Sequence, residues 1–129
     1  LGWTEPGGAA IAPFTRVGGL YERAGAAAPY VLSPPWIGAQ AQLDPDTIFN
    51  LTSSNDITGG NSGSPLLGRD GRVIGVMFDG NMHSNGGEYF YDGELNRAVT
   101  VSAAIIRLAL REVYDMQALA DELENVPLD

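Results

Sequence analysis

The sequence predicts a mainly β domain that ends in helices, and three observations carry the prediction. Glycine (17) and proline (8) punctuate the 129 residues densely enough to favour a turn-rich, sheet-forming architecture. Between residues 48 and 102 the apolar residues fall in short runs of strand length, divided by Gly/Asp/Asn clusters. From Ala103 onward the apolar period lengthens from two residues to 3.6.

Composition narrows the class of partner. At 129 residues the chain reads as one domain, and 44% hydrophobic residues are enough for it to fold. Cysteine is absent, so no disulfide staples the fold, and cytoplasm and periplasm stay equally open. A net charge of −9 argues against phosphate backbones and anionic membrane surfaces as partners. No apolar run reaches the length of a membrane span, and no signal peptide is visible. The chain starts at Leu1 without methionine, which suggests a processed product or a piece of something longer.

The first 45 residues read as loop-rich, punctuated by Gly7-Gly8, Gly18-Gly19, the small residues Ala24 to Ala28, and Pro34-Pro35. Short extended pieces are expected at Phe14 to Val17 and Ile48 to Leu51. Ser64 to Leu67 and Arg72 to Phe78 form apolar β-type runs joined by Gly68-Arg69-Asp70-Gly71, whose Asp-Gly is a hairpin signal. A Gly-rich stretch from Gly80 to Gly87 separates them from Glu88 to Tyr91, and Val99 to Ser102 alternates as a strand does. Ile105, Ile106, Leu108, Ala109, Leu110 and Val113 then share one face of a helix of about three turns. An acidic helix from Met116 to Leu123 closes the chain. Neither helix carries a long basic face, which makes nucleic-acid or membrane docking unexpected.

Most of the functional information lies in residues 59 to 65, Gly-Gly-Asn-Ser-Gly-Ser-Pro. This run resembles the loop around the nucleophilic serine of trypsin-fold peptidases, which makes Ser62 the candidate nucleophile. An attacking hydroxyl needs two backbone N–H groups aimed at the oxygen that turns negative. Those donors would be the amides of Ser62 and Gly60. Glycine at 59, 60 and 63 would allow the tight, partly positive-φ path that points them inward.

Sixteen residues after Ser62 stands Phe78-Asp79-Gly80-Asn81. Taken with Pro13 to Arg23 (PFTRVGGLYER), Thr52 to Asn81 and Tyr91 to Val101 (YDGELNRAVTV), the chain resembles the carboxy-terminal part of the bacterial dipeptidyl-peptidase 7 and 11 family. These are serine exopeptidases that remove dipeptides from free amino termini. The resemblance implies the second β-barrel of a trypsin-like two-barrel fold, with its terminal helices, as a single domain over residues 1–129. Residue by residue, it implies Ser62 as nucleophile and Gly60 with Ser62 as oxyanion-hole amides. Asp79 would help hold the substrate's α-ammonium. Gly80 occupies the position that separates the family's specificities, and glycine there implies an uncharged pocket for an apolar or aromatic side chain. No cofactor or metal is implied. The family's periplasmic location carries over only as an inference.

The departures from the family pattern define what is missing. The family's histidine and aspartate belong to a first barrel that this chain lacks, and a helical domain that caps the cleft is also absent. The isolated chain is therefore expected to be inactive. Its expected partners are a peptide with a free amino terminus and the missing parts of the parent. An uncovered apolar face would favour self-association. His83, the sole histidine, reads as a loop-ordering or exposed residue rather than a base. Asp56 lies six residues before Ser62, where trypsin-like enzymes place the aspartate that binds Arg and Lys; its plainer reading is a carboxylate bonded to loop amides. Two rivals stay open: a trypsin-fold endopeptidase, and a barrel that binds peptides or proteins without cutting them.

Overall fold

The computed structural model describes residues 1–87 and 89–125. A ribbon of two short strands, β1 (Trp3–Thr4) and β2 (Ala10–Ile11), precedes a five-stranded antiparallel sheet. Its members are β3 (Phe14–Arg16), β4 (Ile48–Ser53), β5 (Pro65–Leu67), β6 (Val73–Gly80) and β7 (Ala98–Ser102), in spatial order β3-β4-β7-β6-β5. Helices α1 (Val17–Glu22), α2 (Pro34–Ala39), α3 (Ala103–Leu108) and α4 (Gln117–Glu124) accompany them. The fold is mainly β, with two sheets and a few short helices.

The β5–β6 hairpin forms where the Asp-Gly signal predicts. Gly68 N–H donates to the Arg72 carbonyl at 2.8 Å and Gly71 N–H to the Gly68 carbonyl at 3.0 Å, with Gly71 at φ +78°. β6 runs two residues beyond the predicted end, through Asp79 and Gly80, because β7 continues to pair with it there. Residues 89 to 91 form turn and coil rather than strand, and Glu88 lies outside the described residues.

The amino-terminal third is more ordered than its composition suggests. α1 and α2 fill stretches that read as loops, and each is only six residues long. Helices this short have little intrinsic stability and rely on tertiary contacts. Those contacts are present: Val17 of α1 and Ala39 of α2 join Leu43 and Ile105 in the buried core, with Trp36 and Phe49 packed against it.

The switch from sheet to helix occurs at Ser102. Its hydroxyl donates to the Ile48 carbonyl on β4 and accepts the Ile105 N–H at 3.1 Å, so one side chain both ties the strand down and caps α3. The predicted long helix is not uniform. It widens to π geometry over Ala109–Val113, and Tyr114 N–H bonds the Ala109 carbonyl at 2.9 Å. Arg111 at this widened end reaches Gln117 and Glu124 at 2.9 and 3.0 Å and also pairs with Asp121, which docks α4. Bonds from Glu124 first and then Asp121 hold its guanidinium pKa above the ordinary value.

Gly75 marks the tightest approach in the sheet. A Cβ there would lie 2.4 Å from Thr100 Cγ2 and 2.5 Å from the Val101 carbonyl oxygen. The Gly75→Ala variant should lose about 1–3 kcal/mol of stability, measured as a shift in the denaturant midpoint. An unchanged midpoint would mean that β6 and β7 can separate freely at this point.

Candidate active site

The loop 59–65 is held by the Asn61 side chain, by backbone bonds within the turn and by β6. Asn61 Oδ1 accepts the Thr58 N–H at 2.8 Å, while Asn61 N–H returns to the Thr58 carbonyl at 3.2 Å and Ser64 N–H to the Asn61 carbonyl at 3.0 Å. Gly63 N–H bonds the Met77 carbonyl at 2.8 Å, and Met77 N–H bonds the Ser64 carbonyl at 2.9 Å, fastening the loop to β6. Gly60 and Gly63 lie at φ +98° and +90°, where a side chain is strained. Gly59 has no positive φ, so two of the three glycines supply the conformational freedom.

This arrangement leaves three donors of the loop open. Among the described residues the Gly59, Gly60 and Ser62 N–H groups have no hydrogen-bond acceptor, whereas Asn61, Gly63 and Ser64 do, and Gly60 with Ser62 is the pair that the sequence singles out. Unpaired backbone amides in an exposed loop can take an anionic oxygen. The Ser62 side chain is exposed, and its hydroxyl donates to the Phe78 carbonyl at 3.3 Å.

That carbonyl is positioned by an irregularity in β6. Met77 pairs with Thr100 and Asp79 with Val99, so Phe78 is the extra residue of a β-bulge, a device that re-aims neighbouring groups. Beyond the bulge Asp79 is exposed, and its Oδ1 accepts the Gly80 N–H at 2.8 Å. Asp79 forms no ion pair among the described residues, so its second oxygen is open to a cation.

Ser62, Gly60, Asp79 and Gly80 all line one cavity of about 240 Å³, together with Ile57 and Ser84. A Cβ on Gly80 would lie 2.9 Å from Ser84 Cβ and 3.2 Å from Ile57 Cδ1, so these side chains already close the space beneath it. Ile57 and Ser84 were not identifiable from sequence. A turn was evident between Asn81 and Gly87, but not which of its side chains faces the cavity.

The other two carboxylate and imidazole candidates separate from this group. Asp56 is exposed, does not line the cavity, and bonds no loop amide among the described residues. Neither the basic-side-chain reading nor the plainer one fits its position. His83 also lies outside the cavity lining. Its Nε2 meets Glu5 Oε2 at 2.8 Å, which makes it a loop-ordering residue rather than a base for Ser62.

The family model described as Peptidase S46 matches residues 1–125. The chain belongs to the peptidase S46 family. Among the relatives of this S46 chain, dipeptidyl-peptidase 7 of Phocaeicola vulgatus is 38% identical over 74 residues, 57% of this chain and 10% of the relative. The Asp/Glu-specific dipeptidyl-peptidase of Porphyromonas gingivalis is 39% identical over 70 residues, 54% of this chain and 10% of the relative. The crystal structure of Porphyromonas endodontalis DPP11 with the dipeptide Arg-Asp superposes with a TM-score of 0.87 at 22% identity, over 94% of this chain and 19% of that one. The match to the S46 chain thus spans 10% of the length of these two curated relatives.

Proposed function

We propose that this chain is the carboxy-terminal part of a serine dipeptidyl-peptidase that releases dipeptides from free amino termini. The observation that carries the reading is the meeting of an exposed Ser62 hydroxyl with two acceptor-free amides at the mouth of a cavity. In the complete enzyme Ser62 Oγ attacks the carbonyl carbon after the second residue of a peptide. Its proton passes to a base contributed by chain outside these residues, since His83 is held by Glu5. The oxyanion takes the Gly60 and Ser62 N–H groups. The base then returns that proton to the nitrogen as the C–N bond breaks, and the shortened peptide leaves with a new amino terminus. Water hydrolyses the remaining ester and frees the dipeptide.

Asp79 suits the substrate's ammonium because a charge-assisted contact rewards a free amino terminus and gives an internal segment nothing. The preference we infer before the cut is apolar or aromatic. Ile57, Met77 and Phe78 line the cavity beside polar residues such as Thr58 and Asn85, and no cationic side chain among the described residues lines it. The near-equal identities to the two kinds of relative, 38% and 39%, do not decide this preference. The five-stranded antiparallel sheet followed by helices is consistent with the second barrel of a trypsin-like fold. The first barrel and a helical cap would then come from the rest of the parent. Exposed apolar side chains such as Met82, Tyr89 and Phe90 would be covered by those parts, or by self-association when the chain is alone. A periplasmic location is proposed on the family resemblance alone.

Fluorophosphonate labelling tests the reading, applied to this chain and to the full-length protein that carries it. Labelling of Ser62 in the longer form only, with turnover of free-amine dipeptide substrates, is the expected result. Cleavage of amino-terminally blocked peptides would instead favour an endopeptidase. No labelling of either folded form would leave a binding domain.

The Asp79→Asn variant isolates the ammonium contact, since an amide oxygen can still accept the Gly80 N–H. In the full-length protein KM for free-amine substrates should rise about tenfold to a hundredfold, while fluorophosphonate labelling stays at the parent rate. An unchanged KM would remove Asp79 from substrate binding.

A further inference from the structure

We infer that Glu5, in the amino-terminal ribbon, is a positioning residue for the peptide site, acting through His83 on the segment that carries Ser84 and Asn85 into the cavity. The inference rests on the peptidase reading above. His83 belongs to the 3₁₀ turn Met82–Gly86, and its side chain is only 19% exposed. Glu5 reaches it across 78 positions of sequence.

Glu5 is itself fixed at both ends. Its Oε1 accepts the Trp3 indole N–H at 2.7 Å, its N–H bonds the Ala9 carbonyl at 2.8 Å, and its carbonyl accepts the Gly8 N–H at 2.7 Å. The bonds from Trp3 and then His83 hold its carboxyl below the usual range, so it stays charged at neutral pH. The carboxylate is thus held between the Trp3 indole and the His83 ring, on a backbone tied across the ribbon turn.

A second tie runs from Leu1 and Gly2, just before the ribbon, to the other side of the turn. Arg97 is 6% exposed, and its guanidinium bonds the carbonyls of Leu1 and Gly2 at 3.2 and 3.0 Å and that of Asn96 at 2.7 Å. Arg97 N–H in turn donates to Asn81 Oδ1 at 3.0 Å and Ser84 Oγ at 3.1 Å. The amino-terminal segment thus holds residues 81–87 in two ways, from Leu1 and Gly2 through Arg97 and from Glu5 directly at His83. Among the described residues no hydrogen bond joins this segment to the serine loop 59–65. A brace of this kind acts on substrate binding and leaves the nucleophile and its oxyanion donors in place.

The test uses the full-length protein with Glu5→Ala, His83→Ala and the double variant, each confirmed as folded by its melting midpoint. Each single change should raise KM for a free-amine dipeptide substrate about tenfold, the scale of one charged hydrogen bond, with kcat unchanged within about twofold. The double variant should be no worse than either single one, as for two ends of one contact. Glu5→Gln, which keeps an acceptor for the Trp3 indole, should recover part of the loss. Hydrogen exchange at the Ser84 and Gly87 amides should quicken in both alanine variants. Unchanged exchange, additive effects, or a fall in kcat at constant KM would each overturn the inference. If the unsubstituted protein neither labels nor turns over, the peptidase reading fails separately, and amide exchange still decides whether the brace exists.

Discussion

Replacing Ser62 by alanine in the full-length protein is expected to lower kcat for dipeptide release by about 10⁴- to 10⁶-fold, with the folded state intact. The size follows from the role. A nucleophile that forms the acyl intermediate cannot be replaced by binding energy, and only the oxyanion donors and substrate contacts would remain. Folding should survive because the hydroxyl makes one long bond, 3.3 Å to the Phe78 carbonyl, from an exposed side chain. Steady-state kinetics beside a thermal melt checks both halves. Activity above about one per cent of the parent, far beyond what such a removal leaves, would mean that another group attacks the carbonyl.

The second large effect is expected at Gly60. Alanine there meets no atom within 4 Å, so packing cannot account for any loss. The backbone can, since φ is +98° and a Cβ in that region costs about 1–3 kcal/mol. The loop can relieve this strain by rotating the Gly60 peptide, which turns its N–H away from the developing oxyanion. Losing one such donor lowers kcat by about 10²–10³-fold. Gly59→Ala is the matched control, because Gly59 also has open space around it but no positive φ. Its kcat should change by less than about threefold if donor geometry is what matters. Equal losses at 59 and 60 would point instead to general loosening of the loop.

The serine loop, the β5–β6 hairpin and the terminal helices were legible because each follows from neighbours in sequence. Two glycines within four residues, Asp-Gly between apolar runs, and a change of apolar period are local signals with local causes. α1 and α2 were not legible, since six residues cannot show a helical period and Gly18-Gly19 or Pro34-Pro35 read as breaks. Their order comes from Val17 and Ala39 entering a shared core with Ile105, a contact made across most of the chain. The π widening after α3 and the docking of α4 through Arg111 depend in the same way on tertiary partners.

The site divides along the same line. Sequence alone marked the loop that carries the candidate nucleophile Ser62 and the candidate Asp79-Gly80 pair, and it signalled the kinship with the S46 family. Backbone conformation near a glycine-rich turn is governed by the residues in that turn. Tertiary structure decided that the Phe78 bulge sets its carbonyl against Ser62, that Ile57 and Ser84 close the cavity beneath Gly80, and that Asp56 stands outside it. It also assigned His83 to Glu5 rather than to Ser62. Each of these outcomes depends on which distant segments meet. Strand register and core packing choose those meetings over the whole domain, and no short run of residues encodes them.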